Sequence, residues 1–119
     1  MARIFVFLGL LIATPCVAGS VPQATLLGEW CAGASGAFHE EFSLTIEGDT
    51  RVFSSWLHHR PAGSGTWELR DRTLTIRENS GDVTVYTIIK VTKKKLIVRR
   101  PDEPAEVYVR DGCTTFDPR

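Results

Sequence analysis

The side chains able to do chemistry are few and poorly grouped. The 119-residue chain holds three histidines, His39, His58 and His59, and three cysteines, Cys16, Cys31 and Cys113. A zinc site needs three or four donors converging on one point. His58 and His59 are consecutive, so on a strand they point to opposite faces, and only one of them could join His39 and Glu41 across a strand pair. No metal site and no cofactor is expected. Nucleophilic catalysis needs an activated Ser or Cys beside a base and an orienting carboxylate. Ala62-Gly63-Ser64-Gly65 approaches a Gly-x-Ser-x-Gly elbow, but its second glycine falls one place too early and no helix follows. Glu40 and Glu41 face opposite ways on a strand, which does not suit shared acid/base work. No catalytic residue is assigned, and the chain reads as a non-enzyme.

Charge adds one more candidate. Lys90, Lys93, Lys94, Lys95, Arg99 and Arg100 form the densest cationic run. It reads as a charged hairpin tip that keeps a β-protein soluble, with a docking patch for anionic lipid, polysaccharide or an acidic protein as the alternative. Over the whole chain 14 basic residues balance 14 acidic ones, so no net field steers the protein to nucleic acid. No aromatic ladder accompanies the cations either, and a nucleic-acid partner is not expected.

The cysteines depend on compartment. Arg3 precedes an apolar run from Ile4 to Ala13, which Thr14 and Pro15 end before the small residues Ala18, Gly19 and Ser20. That is the pattern of a secretory signal peptide over residues 1–18. The run is about half of the roughly 20 apolar residues a membrane span needs, so no stable membrane insertion is expected. Lipoprotein processing at Cys16 is disfavoured because Pro15 sits where a small residue belongs. The mature domain is then 19–119, secreted or periplasmic. It keeps Cys31 and Cys113, an even count in an oxidising compartment, and the two are expected to pair.

No stretch carries helical spacing over three turns, whereas alternation with period two recurs throughout, so the domain reads as all-β. Phe38, Phe42, Leu44 and Ile46 fall on one face of a strand, with Glu40 the one charge on that side. Glu47-Gly48-Asp49-Thr50 is a hairpin turn. Residues 51–58 return with Phe53, Ser55 and Leu57 inward, residues 60–65 read as a loop, and Asp71-Arg72 joins Trp67 and Leu69 to Leu74 and Ile76. Residues 83–92 are a long β-branched strand, followed by strands at 96–99 and 106–110, with a first strand near 27–32. The inward set on the later strands is Tyr86, Ile88, Leu96, Val98, Val107 and Val109. Eight short strands joined by tight turns predict an antiparallel up-and-down barrel, with a sandwich as the alternative. Cys31 ends the first strand and Cys113 follows the last, so in a closed meander a bridge would staple neighbouring strands.

These residues carry a family likeness. Leu27-Gly28-Glu29-Trp30 places a Gly-x-Trp on the first strand, and Gly65-Thr66-Trp67-Glu68-Leu69, Leu74-Thr75-Ile76 and Val107-Tyr108-Val109-Arg110 follow. The pattern resembles the calycin group, in particular small bacterial lipocalin-like proteins. The resemblance implies that Trp30 plugs the closed end of the barrel with Arg110 packed over it. The chain is also similar to secreted bacterial metalloprotease inhibitors, which are barrels preceded by an N-terminal tail.

The function expected from this is non-catalytic binding. An eight-stranded barrel is just wide enough to be filled by its own side chains or to hold one small ligand. A small apolar molecule is the first candidate partner, with Glu40, Phe42, Phe53, Trp67 and Tyr86 as lining residues, Glu40 or Tyr86 as polar anchor, and an open end beside residues 60–65. Trp56 and Trp67 are otherwise core. The alternative is a protein partner, engaged as by a periplasmic protease inhibitor or assembly factor through the tail at 20–26 or the outer surface.

Overall fold

A computed structural model describes residues 19–32 and 40–110. The signal-peptide reading of 1–18, together with Phe38, His39 and Cys113, lies outside the described residues. Eight strands follow in chain order: β1 (Gly28–Ala32), β2 (Glu40–Glu47), β3 (Thr50–Leu57), β4 (Arg60–Arg70), β5 (Thr73–Glu78), β6 (Val83–Val91), β7 (Lys95–Arg99) and β8 (Glu106–Val109). Each pairs antiparallel with the next, and β8 returns to β1 through Cys31 opposite Val109, closing the barrel. This is the expected meander and not a sandwich.

Alternation sets the interior. Trp30, Leu44, Phe53, Trp67, Leu74, Ile76, Ile88, Leu96, Val98 and Tyr108 are buried inside, and Val21 and Leu26 from the N-terminal segment join them. Ile46 and Leu57 share the inward parity but stand at opposite rims, 40% and 39% exposed. Two irregularities re-aim strands. One falls between Ser55 and Trp56 on β3, leaving Ala62 without a partner; the other skips Ile89 on β6. An extra residue of this kind bends a strand and shifts its facing, which brings Val91 back against the core.

Two expectations need correcting. Val107 and Val109 do not point inward: Tyr108 is 2% exposed and Val107 48%. The register explains it, because Tyr108 sits opposite buried Leu96 and Glu106 opposite buried Val98. Residues 60–65 are not a loop but the start of β4, and the chain turns instead at His58 and His59, both at positive φ. Gly63 and Gly65 share the inward face with Trp67, and Gly65 lies opposite Glu78. A Cβ on Gly65 would meet the Arg77 carbonyl oxygen at 2.0 Å, so β5 can pair here only against glycine. A Cβ on Gly63 would meet the end of the flexible Glu78 side chain at 2.5 Å. Gly65→Ala is therefore expected to cost about 1–3 kcal/mol of stability, and Gly63→Ala much less. Urea denaturation of the two variants checks this; equal costs would contradict the close approach.

Candidate functional site

The two ends of the barrel are built differently. At the end with the β2–β3, β4–β5 and β6–β7 hairpins, the 3-10 turn Gln23–Leu26 folds across the opening. Leu26 is fully buried, and the Leu26 carbonyl accepts a hydrogen bond from Trp30 Nε1 at 2.9 Å. The Arg110 guanidinium lies 3.9 Å from the centre of the Trp30 ring and donates from Nη2 to the Thr25 carbonyl at 3.0 Å. Its Nε is buried with no hydrogen-bond partner, so the aromatic face is its compensation there. Trp30 and Arg110 are thus brought together at this end. Val21 N donates to the Asp71 carbonyl, and Arg51 Nε donates to Gln23 Oε1 at 2.6 Å while covering Trp67. Residues 21–26 thus form part of this seal.

Trp67 belongs to the sealed half. It is 2% exposed and its Nε1 donates to the Thr45 carbonyl at 3.1 Å. It does not line the cavity, and its part is to fill the floor. Trp56 is half-buried on the outer face, opposite Pro61.

The other end holds a cavity of about 110 Å³. Four of the five expected lining residues, Glu40, Phe42, Phe53 and Tyr86, come together there; Leu74, Ile76, Leu96 and Val98 form its apolar floor. The polar wall was less expected: Ser55, Glu78, Thr84 and Tyr108 also face the space. Gly63 and Gly65 share the inward parity of Trp67 and Leu69 but do not line the cavity, because the space beside them is taken by Glu78 and the Arg77 carbonyl.

Two carboxylates compete for one phenol. The Tyr108 hydroxyl lies 3.1 Å from Glu106 Oε1 and 3.3 Å from Glu40 Oε2. It carries a single hydrogen and can donate to only one at a time. Glu106 has a second source, since Arg100 donates to its Oε2 from both Nε, at 3.0 Å, and Nη2. Burial pushes the Glu40 carboxyl above the usual 4.5, and Glu106 adds to the rise, while the Tyr108 hydrogen bond and Arg100 oppose it. Burial likewise pushes the Tyr86 phenol up to about 12 and raises Tyr108, whose ionisation the neighbouring Glu40 also opposes.

The sign of the Glu40 effect on stability follows. A carboxyl raised in the folded state binds its proton more tightly there than in the unfolded chain. Its contribution is complete below about 4.5 and is lost as pH rises through the raised value. Relative to Glu40→Gln, the wild type should therefore lose stability between pH 4 and pH 7. Urea denaturation of both proteins across that range checks it; parallel curves would contradict it. Glu78, Tyr86 and Tyr108 line the same cavity, Glu106 and Arg100 act on the carboxyl from beside it, and all five are common to both proteins.

The cationic run is divided by the fold. Lys93 and Lys94 lie in the β6–β7 hairpin at the sealed end, next to Lys95, whereas Arg99 and Arg100 lie at the cavity end of β7. Four steps along a strand separate Lys95 from Arg99 by about 13 Å, so the six cations make no single patch. His58 and His59 form the β3–β4 turn, and among the described residues no three His, Cys, Asp or Glu side chains are grouped to hold a metal ion. No helix among those residues is long and apolar enough to cross a membrane. Cys31 is fully buried, with its Sγ 3.5 Å from the Val109 carbonyl oxygen. Comparison with family models, with curated proteins and with solved structures finds no match to this chain.

Proposed function

We propose that the protein is a secreted or periplasmic, non-catalytic, lipocalin-like binding barrel that holds one small molecule in the cavity at the Glu40 end. The observation that carries this is the contrast between the ends: one is plugged by Leu26, Trp30 and Arg110, the other keeps about 110 Å³ lined by aromatic, aliphatic and a few polar groups. An apolar cavity of about 150 Å³ is enough for benzene, so the guest is limited to about five or six heavy atoms. A long fatty chain does not fit. Even the best small ligands gain no more than about 1.5 kcal/mol per heavy atom, which places the expected dissociation constant between about micromolar and millimolar.

The experiment is a methyl-resolved NMR titration of the mature domain with small alcohols and amines of about four to six heavy atoms. Saturable shifts confined to Leu74, Ile76, Leu96 and Val98 support the reading. Shifts at none of them, up to the solubility of the probes, overturn it.

The same reading includes a Cys31–Cys113 bridge beside the β1–β8 seam. Its support is the Cys31–Val109 register and the position of Cys113 four residues past Val109.

A further inference from the structure

The cavity's chemistry says more about its guest than its size does. Its floor is aliphatic, its walls are the rings of Phe42, Phe53, Tyr86 and Tyr108, and its rim holds the carboxylates of Glu40 and Glu78. Phe42 and Tyr108 meet edge to face at 4.9 Å between centroids, which fixes both rings. The basic group beside the site, Arg100, is bound to Glu106 at 2.5 Å, and among the described residues neither Glu40 nor Glu78 has a basic partner. The donor count is short in the same place, because Glu106 draws on Arg100 and shares the Tyr108 hydrogen, leaving Glu40 with half a claim on one phenol.

We propose that the guest is a small organic ammonium ion, its N–H groups donating to Glu40 and its hydrocarbon part resting on the aliphatic floor between the aromatic rings. This rests on the binding reading above and specifies its ligand class. An ammonium supplies the missing donors and a charge of the right sign, and aromatic faces attract a cation more strongly when water is excluded. The burial that disfavours ionised Glu40 in the empty protein is offset when a cation sits beside it. A neutral guest leaves that carboxylate uncompensated, and an anion adds a like charge.

The test compares n-butylammonium with 1-butanol, which has the same heavy-atom count and no charge, on the mature domain at pH 7 by the same methyl NMR readout. The expected result is at least tenfold tighter binding of butylammonium, with shifts at the cavity methyls. The preference should fall to threefold or less in Glu40→Gln, and fall in the wild type on acidification through the Glu40 titration. Glu78→Gln serves as the second variant should Glu40→Gln unfold, with a smaller loss of preference expected. Equal or tighter binding of 1-butanol overturns the ammonium assignment while leaving a small-molecule barrel standing. Absence of binding by both probes removes the binding reading itself, and with it this one.

Discussion

Trp30→Ala is expected to destabilise the barrel by about 3–5 kcal/mol, the usual range for emptying a buried tryptophan site, and to leave Trp30→Phe clearly milder. Three losses coincide. The fully buried ring leaves a cavity between the 3-10 turn and the barrel floor. The Leu26 carbonyl loses its donor at 2.9 Å, and an unsatisfied buried polar group costs about 1–3 kcal/mol. The Arg110 guanidinium loses the ring it covers at 3.9 Å while its Nε stays without a hydrogen-bond partner. Phenylalanine keeps a π-face for Arg110 and most of the volume, so it isolates the N–H contribution. Urea denaturation gives both numbers. A cost below about 1 kcal/mol for Trp30→Ala would mean that the ring does not plug this end. Against a total stability of about 5–15 kcal/mol for a domain of ordinary size, the expected loss is large enough to populate unfolded chains at 37 °C.

Breaking the proposed Cys31–Cys113 bridge is expected to cost a similar amount, about 2–5 kcal/mol. The closed loop spans roughly 80 residues, and the chain-entropy argument assigns a loop of that length about 4 kcal/mol. The link would act where the barrel's own pairing is thinnest, because β1 and β8 share the single register pair Cys31–Val109 while β3 and β4 share a full hairpin. Opening that seam exposes two strand edges, which are templates for aggregation. The measurement is the denaturation midpoint of the Cys31→Ser/Cys113→Ser double variant beside the oxidised wild type, with free thiols counted under denaturing conditions. Two free thiols in protein matured in an oxidising compartment would refute the bridge, and an unchanged midpoint would refute its contribution.

Much of the barrel is written in the period of the sequence. Phe42 and Leu44, and Leu74 and Ile76, alternate with polar neighbours, whereas Tyr86 and Ile88 flank Thr87 inside a longer apolar run and Leu96 and Val98 enclose the apolar Ile97; each pair faces the core or cavity. The last strand is different, because Glu106-Val107-Tyr108-Val109 is apolar in both parities over its final three residues, and alternation alone cannot choose between them. Arg110 settles it: a side chain that packs on Trp30 from inside the barrel requires its parity partners, Tyr108 and Glu106, to face inward too. The start of β4 was hidden for another reason. Pro61, Gly63 and Gly65 are turn-formers by composition, but the two glycines stand in a strand because the β5 backbone presses on Gly65 and the Glu78 side chain lies over Gly63. Glu78 is obscured in a similar way, since it borders the turn-forming run Asn79-Ser80-Gly81-Asp82 and yet is the last inward residue of β5.

The candidate site was half legible. Glu40 stood out as the one charge on an apolar face, and its place in the cavity rim follows from that parity. Trp67 shares the interior but lies a layer deeper, bonded to the Thr45 carbonyl, a depth that periodicity does not encode. The pairing of Tyr108 with both Glu40 and Glu106 joins residues 68 and 2 positions apart, and the longer link exists only because the barrel closes.

A high-resolution crystal structure of the mature domain is the most direct test of a barrel sealed at one end and hollow at the other. The expected result is Trp30 under Arg110 at the sealed end, with an opposite space of roughly 110 Å³ bounded by Glu40, Phe42, Tyr86 and Tyr108 and holding ordered water or a small guest. A mouth filled by collapsed Tyr86 and Tyr108 rings, or a gap between β1 and β8, would contradict it.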